Sequence, residues 1–469
     1  MSDHHRPRST PTYPHHMTYN TQITPLALLS RPSMRKRVLL VIAACFLSSG
    51  AAADLSLKSL VAQALTQNPG LEALRQQVQV AEYAQREARA GYYPQLGASV
   101  QYLITDNAPQ AFMLQLNQRR LDIRDPAFDP NQPDDTQNIQ MSLGVMYPLY
   151  NGARRPQQRA AHLQTEHSNE QVAAARNALI YAVTRGYYQV LEAQAFAKVQ
   201  DAALQSYKES LRVATERFES GAVVRTDVLN LEVQLAQARE NLIRSRNGVQ
   251  LAIAALNATI GTEIIPEEGL PKPALHVTEP AWTPISPERR PELTAARLQR
   301  DLAQQQIRID NAGKYPRLNL FGSIIWDGED IGDQENSYIA GIALEWNWFD
   351  GGSTRAQVGA ARAGQHSATA HMREIQNQLQ LESKQAILRL QDAWQRIEVT
   401  QVATQSAEEA LRITRALYEE GAADIASLLV AEVARTETQM RATAARYDFL
   451  IAHSNAKRVA GLLDQNFQQ

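Results

Sequence analysis

The residues best equipped for chemistry in this 469-residue chain are few and badly spaced for it. His162 and His167, like His366 and His371, stand five apart. Imidazoles four apart on a helix share a face and can grip a metal, but a spacing of five turns them away from each other. They read as solvated helix positions. His4, His5, His15 and His16 cluster near the start, ahead of a leader-like segment. Carboxylates are plentiful, yet no acid/base pair is marked out, and there is no G-x-S-x-G, phosphate loop or H-E-x-x-H. The lone cysteine, Cys45, allows neither a disulfide framework nor a cysteine-based zinc site. The expectation is a chain with no catalytic residues, no metal and no cofactor, and not an enzyme.

Lys and Arg number 47 against 49 Asp and Glu, giving a net charge of −2, so no basic surface points to a nucleic-acid partner. Hydrophobic residues make up 44% and aromatics only 6%, with abundant Ala and Gln, a balance that suits long helices. Residues 1–53 read as an N-terminal extension and a cleaved signal peptide. Met34-Arg35-Lys36-Arg37 is basic, Val38–Leu47 is apolar, and Ala51-Ala52-Ala53 is a small-residue cleavage site. Met34 is a second candidate start. The alternative is lipidation at Cys45, which closes the passable lipobox Ile42-Ala43-Ala44-Cys45. No later apolar run reaches the roughly 18–20 residues of a membrane-spanning helix. An exported chain of this kind stays in the periplasm or crosses the outer membrane as β-strands.

The elements that position these residues are written twice. Gly91-Tyr92-Tyr93-Pro94 recurs as Gly313-Lys314-Tyr315-Pro316, Tyr150-Asn151-Gly152 as Phe349-Asp350-Gly351, and Phe218-Glu219-Ser220-Gly221-Ala222 as Tyr418-Glu419-Glu420-Gly421-Ala422. Residues 54–262 form the first repeat and 292–469 the second, joined by a proline-rich linker over 263–291. The offset falls from 222 at the first motif to 199 at the second, so the first half carries a loop insertion.

Each repeat begins with a helix, marked in the first by Leu71, Leu74, Val78 and Ala81. Two alternating segments follow. Leu96, Ala98, Val100 and Tyr102 share one face, as do Ile139, Met141, Leu143, Val145, Tyr147 and Leu149. In the second repeat the same face collects Leu318, Leu320, Ile324 and Trp326, then Tyr338, Ala340, Ile342, Leu344, Trp346 and Trp348. Strands of about ten residues cross a bilayer when tilted. The opposite face is small and polar: Gly97, Ser99, Ser142, Gly144, Ser323 and Gly341. Long helical stretches come next, with stripes at Leu204, Tyr207, Leu211, Ala214 and Phe218, and at Leu411, Thr414, Leu417 and Tyr418. A helix from Ala153 to Ser220 would run about 100 Å. Gly221 and Gly421 turn the chain into a returning helix.

Four strands cannot close a barrel, and unpaired edges facing lipid cost several kcal/mol per group. Three copies give twelve strands; the counting leaves two or four open. A polar face then lines a wet lumen, with Trp326, Trp346 and Trp348 as an interfacial girdle. The plainer alternative is a soluble hairpin with one buried face.

Tyr147-Pro148-Leu149-Tyr150-Asn151-Gly152-Ala153-Arg154-Arg155 and Trp348-Phe349-Asp350-Gly351-Gly352-Ser353-Thr354-Arg355 resemble the strand-to-helix signature of the TolC-like outer-membrane efflux proteins. Gly221 followed by Asp227-Val228-Leu229 resembles that family's hairpin tip. The resemblance covers Asp54 to about Leu463. It implies a mainly α fold with a membrane β-barrel: a homotrimer whose 12-stranded barrel sits in outer-membrane lipid on an α-helical barrel in the periplasm. It implies an outer-membrane channel subunit of a tripartite efflux or secretion system, fed by a periplasmic adaptor (membrane fusion) protein and an inner-membrane pump of RND or ABC type. Adaptor docking would fall on the tips Gly221, Ala222, Val223, Gly421, Ala422 and Ala423, and the strand-to-helix turns on Asn151, Gly152, Asp350 and Gly351. The family's aspartate ring would fall at Ser427 and Val430, where this chain has no acid. Asp424, one turn earlier, is the candidate pore constriction, with a helix N-cap as the competing role. The rival outside transport is a periplasmic coiled-coil adaptor or scaffold; the rival within it is a type I protein secretion channel.

Overall fold

The computed structural model describes residues 55–124, 129–271, 278–279 and 287–463. The leader, Cys45 and the N-terminal histidines lie outside the described residues.

The chain opens with two helices, α1 (Leu57–Gln67) and α2 (Pro69–Ala90). They are separated because Asn68 takes an extended conformation and its side chain accepts from Leu71 N at 3.0 Å, while Pro69 supplies the first helical residue of α2. Strand β1 (Gln95–Thr105) follows, then a short helix α3 (Ala108–Asn117), then β2 (Thr136–Tyr150). Helix α4 (Arg154–Glu219) and its return α5 (Arg225–Ile260) complete the first repeat. The second repeat holds α6 (Pro291–Asn311), β3 (Arg317–Gly328), β4 (Glu335–Glu345), α7 (Ser353–Glu420) and α8 (Ile425–Val459).

The four strands form one antiparallel sheet in the order β1-β2-β3-β4, so the two repeats meet at the β2–β3 seam. The register is continuous except for a bulge between Pro148 and Tyr150, where a residue without an N–H interrupts the ladder. β4 ends at Glu345, which pairs with Arg317, the first residue of β3. Trp346 and Trp348 therefore fall outside the strand in which the alternation placed them: no partner backbone remains to extend the ladder. The Trp346 indole N–H instead donates to the Lys314 carbonyl at 3.1 Å.

Helices α4 and α7 run unbroken for 66 and 68 residues, about 100 Å each at about 1.5 Å per residue. Their return arms are half as long, 36 and 35 residues. The arms pack on the tip-side halves, while α2 and α6 lie along the strand-side halves. The main core sits where these arms meet α1: Leu60 and Val61 pack among Ile180 and Tyr187 of α4, Leu256 of α5 and Phe449 of α8. A second cluster runs toward the tips, with Leu204, Ala214, Leu231, Leu411, Tyr418 and Leu428. Within the second stripe Leu417 is exposed, because Tyr418 takes the inward position beside it. No helix among the described residues is long and apolar enough to cross a membrane.

Candidate functional site

Cross-strand partners in a sheet share a face. The register lines up Ala98, Leu143, Ile324 and Tyr338 in one row, and Leu96 and Val145 with Gly322 and Ala340 in the next. Apart from Leu149, which falls in the bulge, and Trp346 and Trp348, which lie beyond β4, the apolar sets read from each strand form one continuous surface. It is uncovered: Tyr338 is 84% exposed and Leu96 76%. The opposite rows hold Gly97, Gly144 and Ser323, and Ser99, Ser142 and Ser337, with Ser99 and Ser142 hydroxyls 2.7 Å apart. Ile325, Ile339 and Phe321 interrupt this polar face. Among the described residues no strand lies beside the outer edges of β1 and β4.

The strand-to-helix turns are built by short carboxyl and amide side chains folding back on their own backbone. Asn151 Oδ1 accepts from Ala153 N at 3.0 Å. Asp350 accepts from Gly352 N at 3.0 Å and Thr354 N at 2.7 Å, and the Thr354 bonds hold its carboxyl below the usual range. Gly351 adopts φ +65°, as the turn demands, whereas Gly152 does not have positive φ. Arg154 closes the first turn by donating to the Pro148 carbonyl at 2.8 Å and lying over the Tyr92 ring.

At the other end, the chain reverses at Gly221 (φ +75°) and Gly421 (φ +82°), both in the left-handed region. Ala222 N and Ala422 N each donate at 2.8 Å to the carbonyls of Arg217 and Leu417, the same capping bond in both copies. The tips are tied together by one side chain. Arg217 of α4 donates to the Tyr418 carbonyl of α7, and its guanidinium sits 5.0 Å from the Tyr418 ring centre. Burial, then the nearby Asp227 carboxylate, push the Tyr418 phenol upward.

Asp424 is the N-cap of α8, accepting from Ser427 N at 2.8 Å, and hydrogen bonds from the Ser427 hydroxyl first and its backbone N–H second hold the carboxyl below the usual range. It is exposed at the tip. Asp227 lies in the first turn of α5, whose N-cap Val224 has no side-chain cap. Ser427 and Val430 bring no acid to this face.

One polar cluster escapes the linear sequence. Glu432 of α8 is fully buried; it accepts from Ser206 Oγ of α4 at 2.8 Å, pairs with Arg415 of α7 and lies 3.8 Å from Arg435. Only the Glu432–Arg435 spacing, three apart on one helix, hints at it. Burial and Glu432 push the neighbouring Tyr207 phenol up to about 12. Of the histidines, His162 lies beside Glu166 at 3.5 Å and His371 beside Glu374 at 3.2 Å. Among the described residues no group of three or more potential ligands is placed to hold a metal.

Comparison with known proteins bears on this geometry. The family described as outer membrane efflux protein matches residues 60–262 and 285–462. The alkaline protease secretion protein AprF of Pseudomonas aeruginosa is 25% identical over 357 residues, 72% of each chain. The outer membrane protein TolC of Escherichia coli is 22% identical over 434 residues, 87% of this chain and 83% of that one. Among solved structures, the outer membrane protein VceC from Vibrio cholerae superposes with a TM-score of 0.74 at 21% identity, covering 86% of this chain and 96% of that one.

Proposed function

The chain belongs to the outer membrane efflux protein family, and on that premise we propose that three copies close their sheets into one twelve-stranded barrel with the polar face inward. It is an outer-membrane channel subunit of a tripartite system, not an enzyme family member, and its helices reach into the periplasm. The observation that supports a shared barrel is the sheet itself. Among the described residues both edges are unpaired and much of the apolar face is exposed, a surface that water does not tolerate and lipid with neighbouring strands does.

The repeats 54–262 and 292–469 each contribute one strand pair and one hairpin, with 263–291 as connector. The tips at Gly221, Ala222 and Val223 and at Gly421, Ala422 and Ala423 dock the periplasmic adaptor, and Asp424 from three subunits narrows the periplasmic end. An inner-membrane pump of RND or ABC type delivers the substrate. A periplasmic scaffold, the rival reading, has no use for four bare amphipathic strands. Small-molecule efflux is the first reading of the cargo. Protein export is the second, favoured by the likeness to a protease secretion protein.

Membrane fractionation followed by gels run with and without heating tests the assembly. The expected result is an outer-membrane band at three times the mass of the processed chain, which is smaller than the 52.2 kDa of all 469 residues, that dissociates on boiling. A soluble monomer overturns the proposal.

A further inference from the structure

The two strand pairs are joined very differently. β3 reaches β4 through residues 329–334, whereas β1 reaches β2 through residues 106–135. Helix α3 and the residues just after it occupy the described start of that longer connection. Its N-cap Asn107 accepts from Gln110 N at 3.3 Å, and Ala111 is fully buried.

What anchors α3 is a buried polar seat. Gln118 Nε2, at its C-cap, donates to the Gln137 carbonyl at 2.8 Å and to Asn138 Oδ1 at 2.9 Å. Asn138 Nδ2 donates to Asp327 Oδ1 at 2.7 Å, and Gln140 Nε2 donates to the same oxygen at 3.0 Å. Gln118, Asn138 and Asp327 are only 4%, 2% and 2% exposed. Two ion pairs follow: Arg119, itself at φ +55°, meets Glu335 at 2.9 Å, and Arg120 meets Glu329. The seat bonds β2, the ion pairs reach the β3–β4 end, and the short β3–β4 connection is held from above.

The face matters. Asn138 and Gln140 alternate with Ile139 and share the face of Ser142 and Gly144, while Gln140, Asp327 and Glu335 form one cross-strand row. Helix α3 is therefore seated on the polar face, at the sheet end away from α4 and α7. We propose that residues 107–120 are a size-limiting collar inside the external mouth of the channel, an inference that rests on the trimeric barrel proposed above.

Dimensions support it. Twelve strands about 4.8 Å apart, tilted about 40°, enclose a ring roughly 24 Å across. Three helices each about 10 Å wide, laid against its inner wall, leave a passage narrower than one helix. The buried amide seat fixes their position, because unseating Gln118 breaks both hydrogen bonds that its buried amide donates to β2.

The test labels Ser142→Cys, midway along the polar face, in intact cells from outside, with the unsubstituted chain as blank. A small maleimide should react. A bulky polyethylene-glycol maleimide should be excluded, and that protection should be lost entirely in Gln118→Ala/Asn138→Ala or in Arg119→Glu. The swap Arg119→Glu/Glu335→Arg should restore it. Bulky labelling at equal rate with the seat intact overturns the collar, as does exclusion that persists in the unseated variants. Failure of the small reagent to reach Ser142→Cys at all overturns the barrel reading instead.

Discussion

The two helical hairpins carry the same acids at positions 200 apart, and they treat them in opposite ways. Glu232 and Glu432 both precede a valine on the returning arm. Glu232 is exposed, while Glu432 is fully buried between three helices. The difference lies in the surroundings. Where the second hairpin has Arg415 and Arg435, the first has Thr215 and Leu235, and no cation is offered to a buried carboxylate. Glu192 and Asp392 reverse the pattern. Asp392 stays outside with Arg396 at 3.7 Å, whereas Glu192 is half-buried near Asp448 and its carboxyl is pushed up to about 7, by burial first and the Asp448 charge second. Surface pairs are untouched by this divergence: Arg212 meets Glu209 at 2.6 Å, and Arg412 meets Glu409 at 2.7 Å. Duplication copied the charges; which copy is buried was decided by the neighbours each half acquired.

The largest expected break in this comparison comes from Glu432→Ala. It leaves Arg415 and the nearly buried Arg435 without their carboxylate, a loss of about 3–5 kcal/mol for a broken buried pair. Glu232→Ala should change stability by no more than about 0.5 kcal/mol, as surface substitutions do. Thermal dissociation of the purified assembly measures both. Similar midpoints for the two variants would mean that the buried cluster contributes nothing beyond its apolar frame.

A smaller effect is the pH dependence that Glu192 brings to its half of the molecule. A carboxyl whose folded pKa is raised from 4.5 to about 7 binds its proton more readily in the folded state. Its contribution is fully present below about pH 4.5 and is lost as pH rises through about 7. Glu192→Gln should flatten the stability profile between pH 5 and 8 and raise the midpoint at pH 8. Partial exposure to water keeps the effect modest. An unaltered slope in Glu192→Gln would place the titrating group elsewhere.

Much of this architecture was legible in the sequence because it rests on local signals that repeat. Gly221 and Gly421 mark reversals that require left-handed backbone, Asn151 and Asp350 mark side-chain-closed turns, and period-two alternation over Leu96–Tyr102 and Ile139–Tyr147 survives into a common sheet face, the bulge setting Leu149 out of register. The long helices follow from an absence of proline after their first turn and a scarcity of glycine. What was not legible depends on partners distant in sequence. Burial of Glu432 needs Ser206, 226 residues away. The loss of Trp346 and Trp348 from β4 depends on where β3 begins. Helix α3 is stabilised by a seat on β2 and β3 that no periodicity within its ten residues announces. Nothing in the repeats fixes where the return arms stop; α5 ends at Gly261, and the strand-side half of the long helices is packed by α2 and α6 instead.

The smallest expected effect decides what Asp424 does. At the first tip the acid is Asp227, inside the first turn; at the second it is Asp424, one turn earlier, as the cap itself. Both sites place negative charge at a helix N-terminus, where the backbone dipole favours it. Only Asp424 also spends an oxygen on Ser427 N. Asn caps as well as Asp does, but carries no charge, so Asp424→Asn keeps the tip and removes the acid, whereas Asp424→Ala removes both. If the three carboxylates narrow the pore, both variants lower cation selectivity in planar bilayers and only Asp424→Ala lowers the thermal midpoint. The depressed pKa keeps the charge in place to low pH, so the wild-type selectivity should fade only on acidification through that lowered value. Selectivity unchanged in Asp424→Asn, with a loss of stability in Asp424→Ala, would reduce Asp424 to a cap and leave the two tips differing only in how they start their returning helices.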